Sequence, residues 1–544
     1  MKKIVLTIAI FTSIISFSTY GQIGEVEEKT IIIVKERPLD LPFANRNYEK
    51  ITFTPPQPEA KPQEYVYNDV PLILPKLTTN IKVLRLSPEP LPKLYGHYVK
   101  GGLGNYGTTY LEGFFNNKRS EKSLVGIHIK HLASQNGPVK YSGTSENFAR
   151  VYGKYFGKST VFNGGLGYER DKYNYYGFNQ SLEVDQDTIK QIYSTFNVNA
   201  GLESLNKDDK FTYGANFNYY NFQSRTDVKE SEFLTDIKAG YKISNDKIFL
   251  LSSALSFSGY TNDSNKVNRS YFILKPAVKL NFDKLNLTAG LNAAYGGDTI
   301  NGMNKFHLYP VVAAEYIVLE DKLVAFGGID GELQKVTFRN LVKENPFLGN
   351  SVALSHTNKA LEVYAGIKGN ALEKLNYKVA LSYNNYKNLY FFANSVEDTS
   401  RFSALYDKNT TVVIFNADAG YVFSEAFRVN LSTGVFNYNL SLLDEPWHRP
   451  GFTTSVLASY NLHRKIYINS DIYYISGLKA KNFTSNELKS LPSIFDLNVR
   501  AEYKFSEVFS AFLDFNNILS KKYQRYLYYP VKGINIIGGV SYSF

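Results

Sequence analysis

Alternation of apolar and polar residues is the dominant pattern of this chain. In "DLNVRAEYKF" (Asp496–Phe505), one set of alternate residues reads Leu, Val, Ala, Tyr, Phe. The other set is Asp496, Asn498, Arg500, Glu502 and Lys504. "FLTDIKAGYKI" places Phe233, Thr235, Ile237, Ala239, Tyr241 and Ile243 on one face, against Asp236, Lys238 and Lys242. "FRVNLSTGVF" opposes Phe427, Val429, Leu431 and Val435 to Arg428, Asn430 and Ser432. "KIYINSDIYYIS" opposes Ile466, Ile468 and Ile472 to Tyr467, Asn469 and Asp471. A period of two belongs to strands. From Leu94 to Phe544 there are roughly 22 such segments, each about the 9–11 residues a tilted membrane-spanning strand needs, or slightly longer.

The connections alternate too. Counting strands from Tyr95, even-to-odd connections are short: Asn245–Asp246, Asp283–Lys284, Ser424–Ala426 and His463–Arg464. Odd-to-even connections are mostly long: Asp171 to Ile192, Val336 to Lys359, Asn394 to Thr410 and Leu478 to Ser493. Short turns at one end and long loops at the other characterise outer-membrane barrels. An even strand number puts both termini at the short-turn end, the periplasm. A soluble antiparallel sandwich also alternates, but no domain boundary interrupts this series. The expected fold is therefore all-β: a transmembrane, antiparallel, up-and-down β-barrel of about 22 strands in the outer membrane of a Gram-negative bacterium. Its apolar faces meet outer-membrane lipid. Asp236, Lys238, Asp418, Arg428, Asp471, Asp496, Arg500, Glu502 and Lys504 are expected to face the wet lumen.

Composition narrows the picture. Mean hydropathy is −0.26, which excludes a bundle of membrane helices. The absence of Cys excludes disulfides, thiolate metal sites and a Cys nucleophile. The apolar run Ile4–Phe17 behind Lys2 and Lys3 reads as a signal peptide over residues 1–21, cleaved after Gly21. Residues 22–93 form a Pro-rich segment: 11 of the 19 prolines fall between positions 38 and 92. Proline lacks the N–H and fixes φ, so this stretch reads as extended linker or lumen lining rather than sheet. Residues 94–544 are the barrel. The net charge of +11 is spread along the whole exported chain, so no nucleic-acid partner is expected.

The C-terminal stretch carries a family likeness. "FLDFNNILSKKY" (Phe512–Tyr523), a Gly-led last strand, and an aromatic end with Tyr542 and Phe544 resemble the closing strands of TonB-dependent outer-membrane receptors. The resemblance implies a 22-stranded receptor barrel. It also implies that Tyr542 and Phe544 form the signal read by the barrel insertion machinery, a partner during assembly. Receptors of that family carry a globular plug before the barrel. Here residues 22–93 are too short and too Pro-rich for one, so a plug-less, barrel-only variant is expected. Thr30, Ile31, Ile32, Ile33 and Val34 in "KTIIIVKE" are faintly similar to the family's energy-coupling box.

Other motifs yield little chemistry. Gly102, Gly104 and Gly107 match G-x-G-x-x-G but sit at a hairpin tip without the helix a dinucleotide site requires. His128 and His131 are three apart, hence on opposite strand faces, and cannot share a metal ion. No nucleophile–base set stands out, so no enzyme, cofactor or metal is expected. Loop tyrosines Tyr173, Tyr175, Tyr176, Tyr526, Tyr528 and Tyr529 are candidate ligand-stacking residues, set against the aromatic girdle that any such barrel carries. A lumen this wide needs a blockage. The candidates are the segment from about Asn45 to Pro92, the long loops, or a partner protein of the outer membrane or periplasm. Two functions fit: solute uptake across the outer membrane, or a non-transporting structural or accessory barrel in a larger outer-membrane complex.

Overall fold

The computed structural model describes residues 95–118, 120–263, 265–297, 305–482 and 485–544. The expected signal peptide, the Pro-rich segment and Thr30–Val34 lie outside these residues. Twenty-two strands form one sheet, each pairing antiparallel with its neighbours. The first, His97–Gly104, pairs with the last, Asn535–Ser543, and closes the ring. Reciprocal hydrogen bonds between His97 and Phe544 finish the seam, N–H to carbonyl at 3.1 and 3.0 Å. No plug-like domain is present among the described residues.

The short turns fall where the polar punctuation puts them. Strands break between Ser244 and Lys247, Asn281 and Leu285, Val422 and Phe427, and Leu462 and Ile466. One long loop is shorter than expected. The strands Leu375–Asn394 and Phe402–Val422 continue to pair well past the length needed to span a bilayer, leaving only residues 395–401 to turn. Tyr390, Phe391, Phe392 and Tyr406 extend the ladder because their side chains find a packed core at that height.

Register separates the two faces. Directly paired residues share a side of the sheet. Val499 faces Ser470 and Phe515, Ala501 faces Ile468 and Leu513, and Tyr503 faces Ile466 and Ala511. Arg500 faces Asn469 and Asp514, and Glu502 faces Tyr467 and Phe512. The first set joins an apolar outer surface that includes Ile127, Leu166, Phe217, Phe233, Ile237 and Leu381, all exposed. Tyr542 and Phe544 stand on this outer face, 49% and 42% exposed, with rings stacked at 5.7 Å. Changing both to Ala is expected to lower the amount of folded barrel in the outer membrane, read by heat-modifiable gel mobility. Wild-type levels of folded double variant would contradict it.

Candidate functional site

At the long-loop end of the barrel, loops pack against strands and against one another. Thr337 caps the short helix Phe338–Glu344, its hydroxyl accepting from Asn340 N at 3.2 Å. Phe338, Leu341 and Val342 fall on one side of that helix and are buried with Leu348, Val352 and Leu354 of the same loop. Their partners come from distant arcs of the ring: Tyr193, Tyr220, Phe222 and Tyr260 on one side, Phe392, Phe402 and Tyr406 on another, Tyr526 and Tyr529 from the last long loop. A segment that touches both arcs at once runs across the lumen. Each buried Phe or Leu contributes roughly 1.5–3 kcal/mol, and polar contacts fix the geometry. Glu230, 1% exposed, accepts from Phe338 N at 2.7 Å, Arg339 N at 3.2 Å and Tyr220 Oη at 2.7 Å. Glu169 holds Arg339 at 3.3 Å and Lys343 at 3.1 Å, and Lys335 pairs with Glu232. Tyr390 Oη donates to Glu344 at 2.6 Å, and Tyr406 Oη to the Ala353 carbonyl at 3.0 Å.

Glu169, Glu230 and Glu232 all meet this loop, so they and the residues sharing their faces of these strands stand on the side of the sheet that the loop occupies. Under the cap lies a cavity of about 470 Å³ lined by Lys130, Glu146, Phe148, Asp171, Tyr173 and Arg339, among others. A second cavity of about 300 Å³ shares Phe148, Glu169, Thr195 and Arg339 with it and adds Arg150, Gly167, Asn197, Asn199 and Asn218. Both lie in the size range of small-ligand sites.

No family model matches the chain, and no curated protein matches it. Solved structures do. The FrpB iron transporter from Neisseria meningitidis (F3-3 variant) aligns at TM-score 0.67 and 10% identity, over 84% of this chain and 82% of that one. The ferric-catecholate import receptor Fiu of E. coli K12, in a closed form, aligns at 0.63 and 10%, over 83% and 82%. The pyoverdine outer-membrane receptor FpvA of Pseudomonas aeruginosa, bound to pyoverdine, aligns at 0.62 and 12%, over 84% and 79%. The fold is that of the TonB-dependent receptor barrel.

Within this receptor-type barrel the expected charged residues fall as follows. Arg500 binds Asp514 through two hydrogen bonds of 2.6 and 2.8 Å, and Glu502 accepts from Ser510 Oγ at 2.6 Å. Asp418 accepts from Ser432 Oγ at 2.9 Å, and Lys504 lies over the Tyr467 ring at 4.7 Å. Asp496 takes the Tyr523 hydroxyl proton donor, while Asp471 stands opposite Asn498 and Leu457. Asp236 faces Asn216 and Ala254, Lys238 faces Gly214 and Ser252, and Arg428 faces Val422 and Ser459. These residues are spread around the ring and form no single constellation.

Most of the candidate tyrosines belong to the cap. Tyr175 is 1% exposed and donates to the Leu348 carbonyl at 2.8 Å. Tyr529 is 2% exposed, stacks on Phe347 and donates to the Ser400 carbonyl. Tyr176 packs on Tyr529 and Phe347, and Tyr526 donates to the Glu344 carbonyl at 2.7 Å. Burial pushes the Tyr526 phenol up to about 12, keeping it a neutral donor. Tyr528 accepts from Asn482 at 2.9 Å, and only Tyr173 lines the large cavity. So five of the six hold loops together rather than standing free at a rim. Of the two histidines in "HIKH", His128 pairs with Glu112 at 3.0 Å and His131 bonds Asn147 at 2.7 Å, on opposite faces.

Sequence reasoning missed the residues that fasten the cap. The apolar spacing of Phe338, Leu341 and Val342 behind Thr337 was the available signal for the helix. His448 had a weaker one, sitting beside the only Trp between two prolines. It is 2% exposed. Nδ1–H donates to the Phe392 carbonyl at 2.8 Å, and Nε2 accepts from Leu527 N at 3.2 Å. Its carbonyl accepts from Arg525 at 2.9 Å. The ring must be neutral to accept, and burial, with Arg525 nearby, depresses its pKa to about 4. The unfolded loop binds a proton near 6.5, so this contribution is complete above that pH. It is lost as pH falls through 6.5 towards 4, by about 3 kcal/mol in all. Emission of Trp447, 2% exposed, is expected to shift to the red over that window. His448→Gln, which keeps a donor and an acceptor, should flatten the shift; an unchanged titration in that variant would contradict the role.

Proposed function

We propose that this barrel takes part in solute uptake across the outer membrane, with its short turns and both termini in the periplasm and its loops outside. The observation that carries the reading is a lumen crossed by folded loops above ligand-sized cavities, in a fold whose solved neighbours include an iron transporter and a catecholate import receptor. No catalytic step belongs to the reading. Tyr173 and the lumenal charges contact the solute, lipid surrounds the outer face, and the insertion machinery reads Tyr542 and Phe544. A second reading draws on how tightly the cap is bonded. A fixed stopper suits an accessory barrel that transports nothing and docks with other outer-membrane or periplasmic proteins. One solved neighbour is the FpvAI–pyocin S2 complex, in which a barrel of this fold engages a pyocin. Native mass spectrometry of the protein extracted in mild detergent separates the two. Uptake predicts a lone barrel carrying a small-molecule adduct. Stoichiometric partner chains without an adduct would reject it.

A further inference from the structure

Below the cap, one arc of the lumen gathers asparagines on three neighbouring strands. On the strands Thr160–Asn174, Lys190–Ser204 and Phe211–Ser224, the lumenal positions include Asn163, Asn197, Asn199, Asn216 and Asn218. Register sets them side by side: Asn199 opposes Asn218 and Gly165, Asn197 opposes Gly167, and Gly201 opposes Asn163 and Asn216. The glycines give the amides room to lie flat. A Cβ at Gly201 would sit 2.4 Å from Asn216 Oδ1 and 2.8 Å from Asn163 Oδ1, and one at Gly165 would sit 3.0 Å from Asn199 Oδ1. Only Asn197 and Asn199 use their amides within the chain, at 3.4 Å to the Tyr219 carbonyl and 3.1 Å from Arg150. Asn163, Asn216 and Asn218 make no side-chain hydrogen bond among the described residues. The smaller cavity is lined by Asn197, Asn199 and Asn218.

This lattice has a definite period. Same-face positions on a strand repeat every ~6.6–6.8 Å, and neighbouring strands lie ~4.8 Å apart. An extended peptide repeats its own same-side groups at that ~6.6–6.8 Å spacing. Laid along the wall, it stays in step with Asn197 and Asn199 and with Asn216 and Asn218. Each amide offers two donors and one acceptor, the complement of a peptide group. The larger cavity above adds charges of both signs. Glu169 is engaged by Arg339 and Lys343, but Glu146, Asp171 and Lys130 make no ion pair among the described residues. A zwitterion brings groups of both signs to this cavity, which a neutral ligand does not.

We propose that this wall binds a short peptide in extended form, its amides on the asparagine lattice and its amino end towards Asp171. The assignment rests on the uptake reading and names its substrate class. Isothermal titration calorimetry on the full-length protein in detergent, with penta-alanine, N-acetyl-penta-alanine and maltopentaose as probes, tests it. Asn199 and Asn218 lie six strand positions from Asp171, about 20 Å, which an extended pentapeptide of ~17 Å bridges with the reach of the side chains. Penta-alanine should bind. The double change Asn199→Leu and Asn218→Leu should weaken it roughly tenfold through the loss of two hydrogen bonds. Asp171→Asn should weaken penta-alanine and leave the acetylated peptide unchanged. Heat-modifiable mobility confirms that each variant is folded. Binding of maltopentaose in place of penta-alanine, binding of no probe, or full affinity in the double variant would each overturn the proposal. A non-peptide adduct in native mass spectrometry, with no penta-alanine binding, removes the peptide assignment and leaves uptake standing. Partner chains without an adduct remove the uptake reading itself.

Discussion

Arginine in place of Val499 is expected to cost the folded barrel ~2–4 kcal/mol, because it places a charge near the middle of the lipid-facing band. Val499 lies mid-strand in Ile494–Lys504, between Ser470 and Phe515 on the outer face. Its neighbour Asn498 points into the lumen, opposite Asp471, and its side-chain oxygen accepts from Asn517 N at 2.9 Å. Arginine there forfeits that bond, about 1 kcal/mol, and keeps its charge in water. Reversible unfolding in lipid vesicles, titrated with denaturant, gives both values. Equal losses at 498 and 499 would reverse or abolish the assignment of faces.

Glu230→Ala is expected to loosen the cap. The substitution orphans three buried donors at once, Phe338 N, Arg339 N and Tyr220 Oη. An unsatisfied buried donor costs roughly 1–3 kcal/mol, so the total is on the order of 3 kcal/mol or more. Two of the three donors belong to the loop, and the strand pairing of Glu230 with Phe222 and Tyr260 is made by the backbone, so the loss falls mainly on the loop's attachment. In planar bilayers the wild-type protein should stay closed and the variant should show opening events, more than Glu230→Gln, which keeps one acceptor oxygen. Recording the same chains without residues 22–90 tests whether the N-terminal segment contributes to the closure. Conductance that is unaffected by Glu230→Ala in both backgrounds would mean that the loops are not the seal.

The barrel was legible because its determinant is local and repeated. Asp496 to Phe505 announces a strand and its two faces without reference to any other residue, and Asn245–Asp246 announces a turn. Nothing local separates Tyr175 from a tyrosine at a membrane rim. Its burial depends on Leu348, 173 residues away, and on the loop that brings it there. Glu230 looks like one more lumenal acid until Phe338 and Arg339 dock on it. The expectation that the charged residues are lumenal rests on parity alone, which predicts a side of the sheet but not a partner. The asparagine lattice needed the register of three strands. Its members stand up to 55 positions apart, from Asn163 to Asn218, and no spacing in the linear chain brings them out.

The seam has a consequence for biosynthesis. His97–Gly104 completes its pairing only with Asn535–Ser543, the strand of the barrel that is synthesised after the other twenty-one. Until then the growing sheet keeps two unpaired edges, the state most prone to pair with the wrong strand. A message truncated anywhere before the codons for Asn535–Ser543 thus yields a sheet without its closing partner, rather than a smaller working barrel. Every copy therefore stays an open sheet until Asn535–Ser543 has been made and paired.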